Sequence, residues 1–509
     1  KALFAAFIDF STAYDSIPRD RLWAHLERIG MPTHLLAYIQ AIYRNDVIIL
    51  EDGGTTDPIH PTRGVRQGCP LSPLLFALYV SDLVEFLPQG GAYTADPDLT
   101  ISHVEFEDDF VLVHNELHML QELLNALHAF SIAKDLVVNV AKSALLAFNM
   151  PAGADCHCFY DGAEIPRVHE FKYLGVWFTA TADMTTTSKR MVVLMNRGVG
   201  RVWEIIKEFE LMRYPALIFR VFKVFSIGAG MYGAQVWSTP FLKGFAYSRT
   251  PQHQSMTTFL HRLFSISRVG VNHALLLREC GQDPISFLWW RCVIRFWNKT
   301  LSGRSPLLLS VVRADLILAN SGYSQGWAAE VLSALRCIPG GAGETSKFFS
   351  GQAISLNQFL QKVRSFQRLM WLNAAGSAFG INSDAVTYYQ HNVSPMLPAR
   401  SLASSPFKIP WFLFQKLPQH VRNSFIQFRT RAHCLRARLH RFYPSQYPSP
   451  NCDLCGDSEL QDETHVVISC PAMPLATLRS GFAFLPFSSL QNLLHCTDIR
   501  VCLDRKSVV

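Results

Sequence analysis

The stretch Val104-Glu105-Phe106-Glu107-Asp108-Asp109-Phe110-Val111-Leu112-Val113 sets four acids within five positions, between apolar residues. It reads as two short strands hinged at the acids. Upstream, Leu3 to Ile8 is an uninterrupted apolar run of strand length that ends on Asp9. A carboxylate closing a strand buried on both faces is costly unless it stands at an exposed tip or coordinates something. Repulsion within Glu105, Glu107, Asp108 and Asp109 raises their pKa values unless cations neutralise them. An aspartate on one strand and an Asp-Asp pair on a neighbouring hairpin form the donor set of a two-metal phosphoryl-transfer site, with ions roughly 4 Å apart. Taken singly, an Asp-Asp turn is more often a solvated turn.

Working outward, Pro18 followed by Arg19 to Ile29, with Gly30 behind, carries helix start and stop marks. A second helix pattern runs from Thr33 to Tyr43, then a strand-like Val47 to Leu50 with a hairpin turn at Asp52-Gly53-Gly54. A Gly- and Pro-rich loop, Pro61 to Pro70, feeds a helix from Ser72 to Leu87. A long helix from Glu116 to Asp135 precedes strands near Leu136 to Val140, Ser143 to Phe148 and Phe171 to Phe178. This is an α+β pattern, and from Arg190 to Leu301 it gives way to helical periodicity. Pro339 to Gly343 and Ser401 to Pro410 read as linkers.

At 509 residues, 49% hydrophobic and 17% charged, the chain is long enough for about three domains. Its net charge of +7 is mild. The distribution is not: from Ala385 to Cys452 there is no Asp or Glu, and nine Lys or Arg residues leave the rest of the chain at −2. No apolar run reaches the roughly 20 residues of a spanning helix, so an integral membrane protein is excluded. Scattered cysteines point to a reducing, intracellular compartment rather than secretion. With no initial Met and only eight residues before Asp9, the chain reads as a fragment beginning upstream.

Three segments then speak together. Phe7-Ile8-Asp9-Phe10-Ser11-Thr12-Ala13-Tyr14-Asp15-Ser16-Ile17, Arg63-Gly64-Val65-Arg66-Gln67-Gly68-Cys69-Pro70-Leu71-Ser72-Pro73-Leu74-Leu75-Phe76 and Phe106-Glu107-Asp108-Asp109 resemble the ordered motifs of reverse transcriptases of the non-LTR (LINE-like) retrotransposon branch. Asn139-x-x-Lys142-Ser143 and Phe171-Lys172-Tyr173-Leu174-Gly175-Val176 resemble the next two motifs, and Met231 to Trp237 a later signature.

The resemblance implies a right-hand polymerase palm, an antiparallel sheet with packed helices, over 1–190. A helical thumb follows over 191–310, a helical connector over 311–420, a basic stretch with a zinc knuckle over 421–480, and a tail over 481–509. It implies an RNA-directed DNA polymerase, a nucleotidyltransferase that uses an RNA template, a DNA primer or target and deoxynucleoside triphosphates. Asp9, Asp108 and Asp109 would be the catalytic residues holding two magnesium ions, Mg2+, beside the primer 3′-hydroxyl. Tyr14 matches a steric gate against the ribose 2′-hydroxyl, or is an ordinary core tyrosine. Gln67 and Gly68 match the loop under the incoming nucleotide, which is equally a Pro/Gly turn capped by Ser72. Lys142 matches a lysine near the departing pyrophosphate, or is a solvated surface lysine. Tyr173, Leu174 and Gly175 fall in the primer grip. Nuclear action follows from the resemblance alone.

Two departures stand out. Relatives carry Tyr-Ala-Asp-Asp where this chain has Phe106-Glu107-Asp108-Asp109, and Glu107 adds a negative charge beside primer and triphosphate. Relatives also have fingers before the first motif, so the chain is expected to lack its N-terminal fingers and its endonuclease.

Cys452-x2-Cys455-x9-His465-x4-Cys470 has the ligand types and spacing to close round one structural zinc, Zn2+, with Gly456 supplying the tight turn. The alternative is unlinked core cysteines. His157 and His169 near Cys156 and Cys158 are spaced too poorly for a second site. In the acid-free stretch, Arg429, Arg431, Arg436, Arg438 and Arg441, interleaved with Phe425, Phe428, Phe442, Tyr443 and Tyr447, suit nucleic-acid contact. The alternative is a plain basic amphipathic helix from Val421 to Arg441. Two rivals to the polymerase are a catalytically dead nucleic-acid-binding remnant and a protein like a group II intron maturase.

Overall fold

The computed structural model describes residues 2–44, 46–49, 57, 59–151, 154–243, 250–266, 271, 273–303, 305–373, 413, 418–456 and 458–472. The chain divides into two units, one of residues 1–187 with 310–321, the other of 188–309 with 322–509.

The first unit is α+β. Its five-stranded sheet runs, edge to edge, His103–Phe106, Asp109–His114, Leu3–Asp9, Ala144–Phe148 and Arg167–Val168. All neighbours are antiparallel except the last pair. Leu3–Asp9 is central and buried on both faces, which is why it reads as an unbroken apolar run rather than an alternating one. Phe4, Ala6 and Ile8 face the main core, where Leu22, Leu26, Phe76, Leu124 and Leu127 of the helices are also buried. Ala5 and Phe7 face the other way, into a small cluster with Phe171, Tyr173 and Phe178.

The helices Arg19–Arg28, Thr33–Arg44 and Leu117–Lys134 form where their patterns predict. The expected Ser72–Leu87 helix breaks: Ser72–Val80 stops, and a single turn, Leu83–Phe86, resumes beyond Ser81 and Asp82. The break places Asp82 in a buried cluster, its carboxylate 2.8 Å from Lys134 and 3.6 Å from His25. Ser72 does not cap its helix; Leu71 holds that position, and the Ser72 hydroxyl donates to the Arg66 carbonyl at 2.6 Å.

The expected strand Leu136 to Val140 does not form. The segment makes a single bridge, Val138 to Phe10, because its polar groups hold the end of the central strand instead. Phe171 to Phe178 is not one strand but a hairpin, Glu170–Tyr173 against Val176–Thr179. Its turn residues Leu174 and Gly175 have φ of 46° and 81°, the left-handed pair that a two-residue hairpin loop requires. Of the hairpin expected after Thr33–Arg44, the Ile48–Ile59 bridge is present, while its Asp52-Gly53-Gly54 turn lies outside the described residues.

The second unit is helical. Its largest buried side chains include Trp237, Trp289, Trp290 and Trp297. The Met231–Trp237 signature has a packing role: Trp237 is fully buried, its indole N–H donates to the Tyr232 carbonyl at 2.7 Å, and its ring meets Trp289 edge-on. Pro339 to Gly343 is no domain linker. It is a tight turn between the helices Trp327–Arg336 and Ala342–Phe349, where a Cβ on Gly341 would lie 2.8 Å from the Ile338 and Leu335 carbonyls. The basic helix expected over Val421 to Arg441 is two helices, Gln419–Arg429 and Arg436–Phe442, interrupted at Arg431 with φ 56°. Ser401 to Pro410 and the 481–509 tail lie outside the described residues.

Candidate active site and candidate metal centre

Antiparallel register decides where the acids meet. Phe4 pairs with His114 and each following step holds, so Asp9 stands directly opposite Asp109 at the sheet tip. Phe106 pairs with Asp109 across the other hairpin, leaving Glu107 and Asp108 as its two turn residues. Glu107 takes φ 56°, a left-handed conformation that costs a non-glycine residue about 1 kcal/mol. Burial, followed by the charges of Asp108, Asp9 and Glu107, raises the Asp109 pKa. That is the signature of a carboxylate cluster short of counter-charge, and its all-oxygen donors suit a hard divalent cation.

The end of the central strand is held from below. The Asp9 amide donates to the Ser143 hydroxyl at 3.1 Å, and the Asp9 carbonyl accepts from the Asn139 amide at 2.7 Å. The Ser143 hydroxyl donates on to the Asn139 carbonyl at 2.9 Å. Asn139 and Ser143 therefore position Asp9 through its backbone, a role their spacing alone did not disclose. Lys142, between them, is exposed.

Tyr14 is half-buried, stacked on Phe76 at 5.3 Å between ring centroids. Burial, the Glu107 and Asp108 charges and a hydrogen bond to Glu107 push its hydroxyl up to about 12. Gln67 is exposed, its amide donating to the Asp15 carboxylate at 2.9 Å. Gly68 has φ 80° but open space around it; close backbone approach belongs to Gly64, where a Cβ would meet the Asp15 backbone at 3.0 Å. Tyr173 reaches the same tip: its hydroxyl donates to the Asp109 carbonyl at 3.4 Å, and Phe171 stacks on Phe7 at 4.3 Å. Leu174 and Gly175 form the turn beyond it.

Below the tip, Glu105 points to the helix side of the sheet, where burial and the nearby Asp82 charge push its carboxyl up to about 7.

In the second unit, Cys452, Cys455, His465 and Cys470 bring their ligand atoms within 4.8 Å of one another, the one such group of three or more among the described residues. Cys452 and Cys470 sulfurs lie 3.8 Å apart, close to the separation of about 3.8 Å set by tetrahedral Zn–S bonds of 2.3 Å. His465 Nε2 lies 3.4 Å from the Cys455 sulfur, and its Nδ1 is 2.6 Å from the Glu459 carboxylate. That carboxylate fixes the tautomer that leaves Nε2 available as a ligand. Burial pushes the Cys452 thiol up. The Cys455 and Leu454 amides, the Cys455 side chain and Gln461 outweigh it and bring the thiol down to about 7. Gly456 makes the turn after Cys455 with φ 73°. The donor set fits zinc. Cys156 and Cys158 are buried while the exposed His157 pairs with Asp155 and Glu164, so they form no ligand group.

The arginines expected on a nucleic-acid face are turned largely inward. Arg429 pairs with Glu279 at 2.5 Å, Arg431 with Glu463 at 2.8 Å, and Arg436 with Asp453 at 2.7 Å. Arg438 is buried and donates to the His433 carbonyl at 3.0 Å; Arg441 is exposed. The acid-free run finds its acids elsewhere in the chain, which a local charge count cannot reveal.

Residues 1–178 match the reverse transcriptase (RNA-dependent DNA polymerase) family. The chain is 32% identical over 191 residues to the Pol polyprotein of the type-2 retrotransposable element R2DM of Drosophila melanogaster, covering 36% of this chain and 18% of that one. It is 33% identical over 192 residues to the Pol polyprotein of an R2 element of Nasonia vitripennis, covering 35% and 18%. With the RNA-directed DNA polymerase of the mobile element jockey of Drosophila funebris, identity is 24% over 202 residues, covering 38% and 21%. The matched region thus spans about a fifth of the length of these relatives. Among solved structures, apo telomerase from Candida tropicalis aligns at TM-score 0.27 and 15% identity over 36% of this chain and 35% of that one. Five ordered motifs, a sheet that sets Asp9 against Asp109 and the family match fall on the same residues: 1–178 form a reverse transcriptase domain, similar in sequence to the Pol polyproteins of R2 retrotransposable elements.

Proposed function

We propose that the chain is an RNA-directed DNA polymerase that adds deoxynucleotides to a primer 3′-hydroxyl on an RNA template, at the sheet tip of its first unit. The observation that carries this reading is the register that opposes Asp9 to Asp109 with Asp108 in the adjoining turn. Asp9, Asp108 and Asp109 would hold two magnesium ions, which lower the pKa of the attacking hydroxyl and neutralise charge on the triphosphate. Tyr14, braced on Phe76, would crowd a ribose 2′-hydroxyl; Gln67 and Gly68 would line the nucleotide's bed. Lys142, exposed behind Asp9, would meet the pyrophosphate. Tyr173, Leu174 and Gly175 would set the primer end, with Tyr173 fixed to the Asp109 backbone. On this reading 1–190 is the palm, 191–310 a thumb and 311–420 a connector, the Cys452, Cys455, His465 and Cys470 quartet a structural zinc knuckle, and the site of action the nucleus.

One observation favours the second reading, a binding protein without synthesis: Glu107, a turn residue beside Asp108, adds a fourth negative charge at the sheet tip, and it is among the charges that raise the Asp109 pKa. RNA-templated primer extension in magnesium, with Asp9→Ala as the blank and Glu107→Ala alongside, separates the two. Incorporation above the blank supports the polymerase. Binding without incorporation supports the remnant, and rescue by Glu107→Ala assigns the defect to that charge.

A further inference from the structure

The 19 residues from Cys452 to Cys470 contain little regular structure: a bridge from Asn451 to Leu460 and a short helical turn, His465–Ser469. Cys452, Val466 and Cys470 are its buried apolar side chains, too few to hold a fold without metal. Yet two of its acids pair with the basic segment before it. Glu463 is buried and accepts from both Arg431, at 2.8 Å, and His433, at 2.6 Å. Asp453, next to the first ligand, takes both Nε and an Nη of Arg436, at 2.9 and 2.7 Å. Gln461 ties these together: its amide nitrogen reaches the Cys452 sulfur at 3.6 Å and Asp453 at 2.6 Å, while its amide oxygen accepts the Arg436 backbone N–H at 2.9 Å. Behind them Arg429 is locked to the buried Glu279 at 2.5 Å, and the Arg422 guanidinium donates to the Met212 carbonyl at 2.6 Å.

We infer that the Cys/His cluster is the keystone of an internal lock: metal binding and the pairing of Arg431, His433 and Arg436 with Glu463 and Asp453 are one linked equilibrium, and metal loss converts these cations into a polyanion-binding surface. Linkage runs both ways. If metal fixes Glu463 and Asp453 in place, then Glu463 and Asp453, which are not ligands, must hold the metal. An independent knuckle that grips nucleic acid through its own folded surface behaves oppositely, losing affinity when stripped. The inference rests on the zinc reading of the quartet and not on polymerase activity.

The test uses the full chain, zinc and a 30-nucleotide deoxythymidine strand. Chelator competition should show zinc held about 10-fold more weakly in Glu463→Gln, within the roughly 5- to 150-fold range of couplings between linked sites. Asp453→Asn, at a half-exposed pair, should shift affinity the same way by a smaller factor and guards against outright misfolding of the first variant. Asp283→Asn, whose partner Arg364 is remote from the cluster in sequence, is the control and should leave zinc affinity unchanged. Removing zinc from the unmodified chain should steepen the dependence of log affinity on log salt by about one to two, since each phosphate neutralised on a single strand contributes about 0.7. Wild-type zinc affinity in both Glu463→Gln and Asp453→Asn, or an unchanged or shallower salt slope after stripping, would overturn the inference. Absence of stoichiometric zinc in the unmodified chain would overturn both it and the zinc reading, leaving the polymerase reading untouched.

Discussion

The sheet tip of the first unit and the arginine lock of the second are both dense in charge, and they are balanced in opposite ways. At the tip, Asp9, Asp108, Asp109 and Glu107 crowd together, and the cost is visible in the raised Asp109 pKa. In the lock, each of Arg429, Arg431 and Arg436 faces a carboxylate, and burial pressure on Glu463 is outweighed by His433 and Arg431, which hold its pKa at about 2. Unbalanced charge marks a site that awaits a ligand; balanced charge marks a joint. The same residue types, read locally, would assign both regions to nucleic acid.

The comparison breaks most readily at the tip. Asp109→Asn preserves shape and removes the charge opposite Asp9, and is expected to lower the rate of single-nucleotide incorporation by about 10³-fold or more with little effect on melting temperature. Retained rate would mean that the tip is not the reaction centre. In the lock, Glu463→Gln strips the acid from Arg431 and His433, and should destabilise the second unit by about 3 kcal/mol, read as a lowered denaturation midpoint.

A smaller effect is expected at Glu105. Its folded pKa, about 7, is above the ordinary 4.5, so ionisation opposes folding. The stability it permits is fully present below about pH 4.5 and is lost as pH rises through 7. Glu105→Gln should therefore stabilise the first unit by about 1–2 kcal/mol at pH 8 and leave it unchanged at pH 4. Equal effects at both pH values would contradict the assignment. The smallest effect is expected at Ser143→Ala, which removes the acceptor for the Asp9 amide: about 1 kcal/mol of stability, with a fall in incorporation rate that outruns the loss of fold.

How much of this was legible in the sequence varied with the range of the interactions. The central strand was plain because burial on both faces writes an unbroken apolar run, and Asp9 with the Asp108–Asp109 pair followed from strand ends and a hairpin. In the sequence the hairpin at Leu174 and Gly175 reads as one strand, since a two-residue left-handed turn hides inside an apolar segment when only one of its residues is glycine. Val138 reads as part of a strand, but its neighbours Val137 and Asn139 bond the Ser11 and Asp9 backbone, more than a hundred residues away. The pairing of the arginines is hidden for the same reason: Glu279 lies 150 residues from Arg429, and no local window contains both. The Cys/His quartet needed no long-range information, as its spacing alone brings four ligands to one point.

The central claim, that the opposed carboxylates at the sheet tip are a working nucleotidyl-transfer centre, is tested most directly by RNA-templated addition of a single deoxynucleotide in magnesium, comparing the unmodified chain with Asp9→Ala. Magnesium-dependent addition by the first and none by the second is the predicted result. Equal addition by both, or none by either in the presence of bound template and primer, would contradict it.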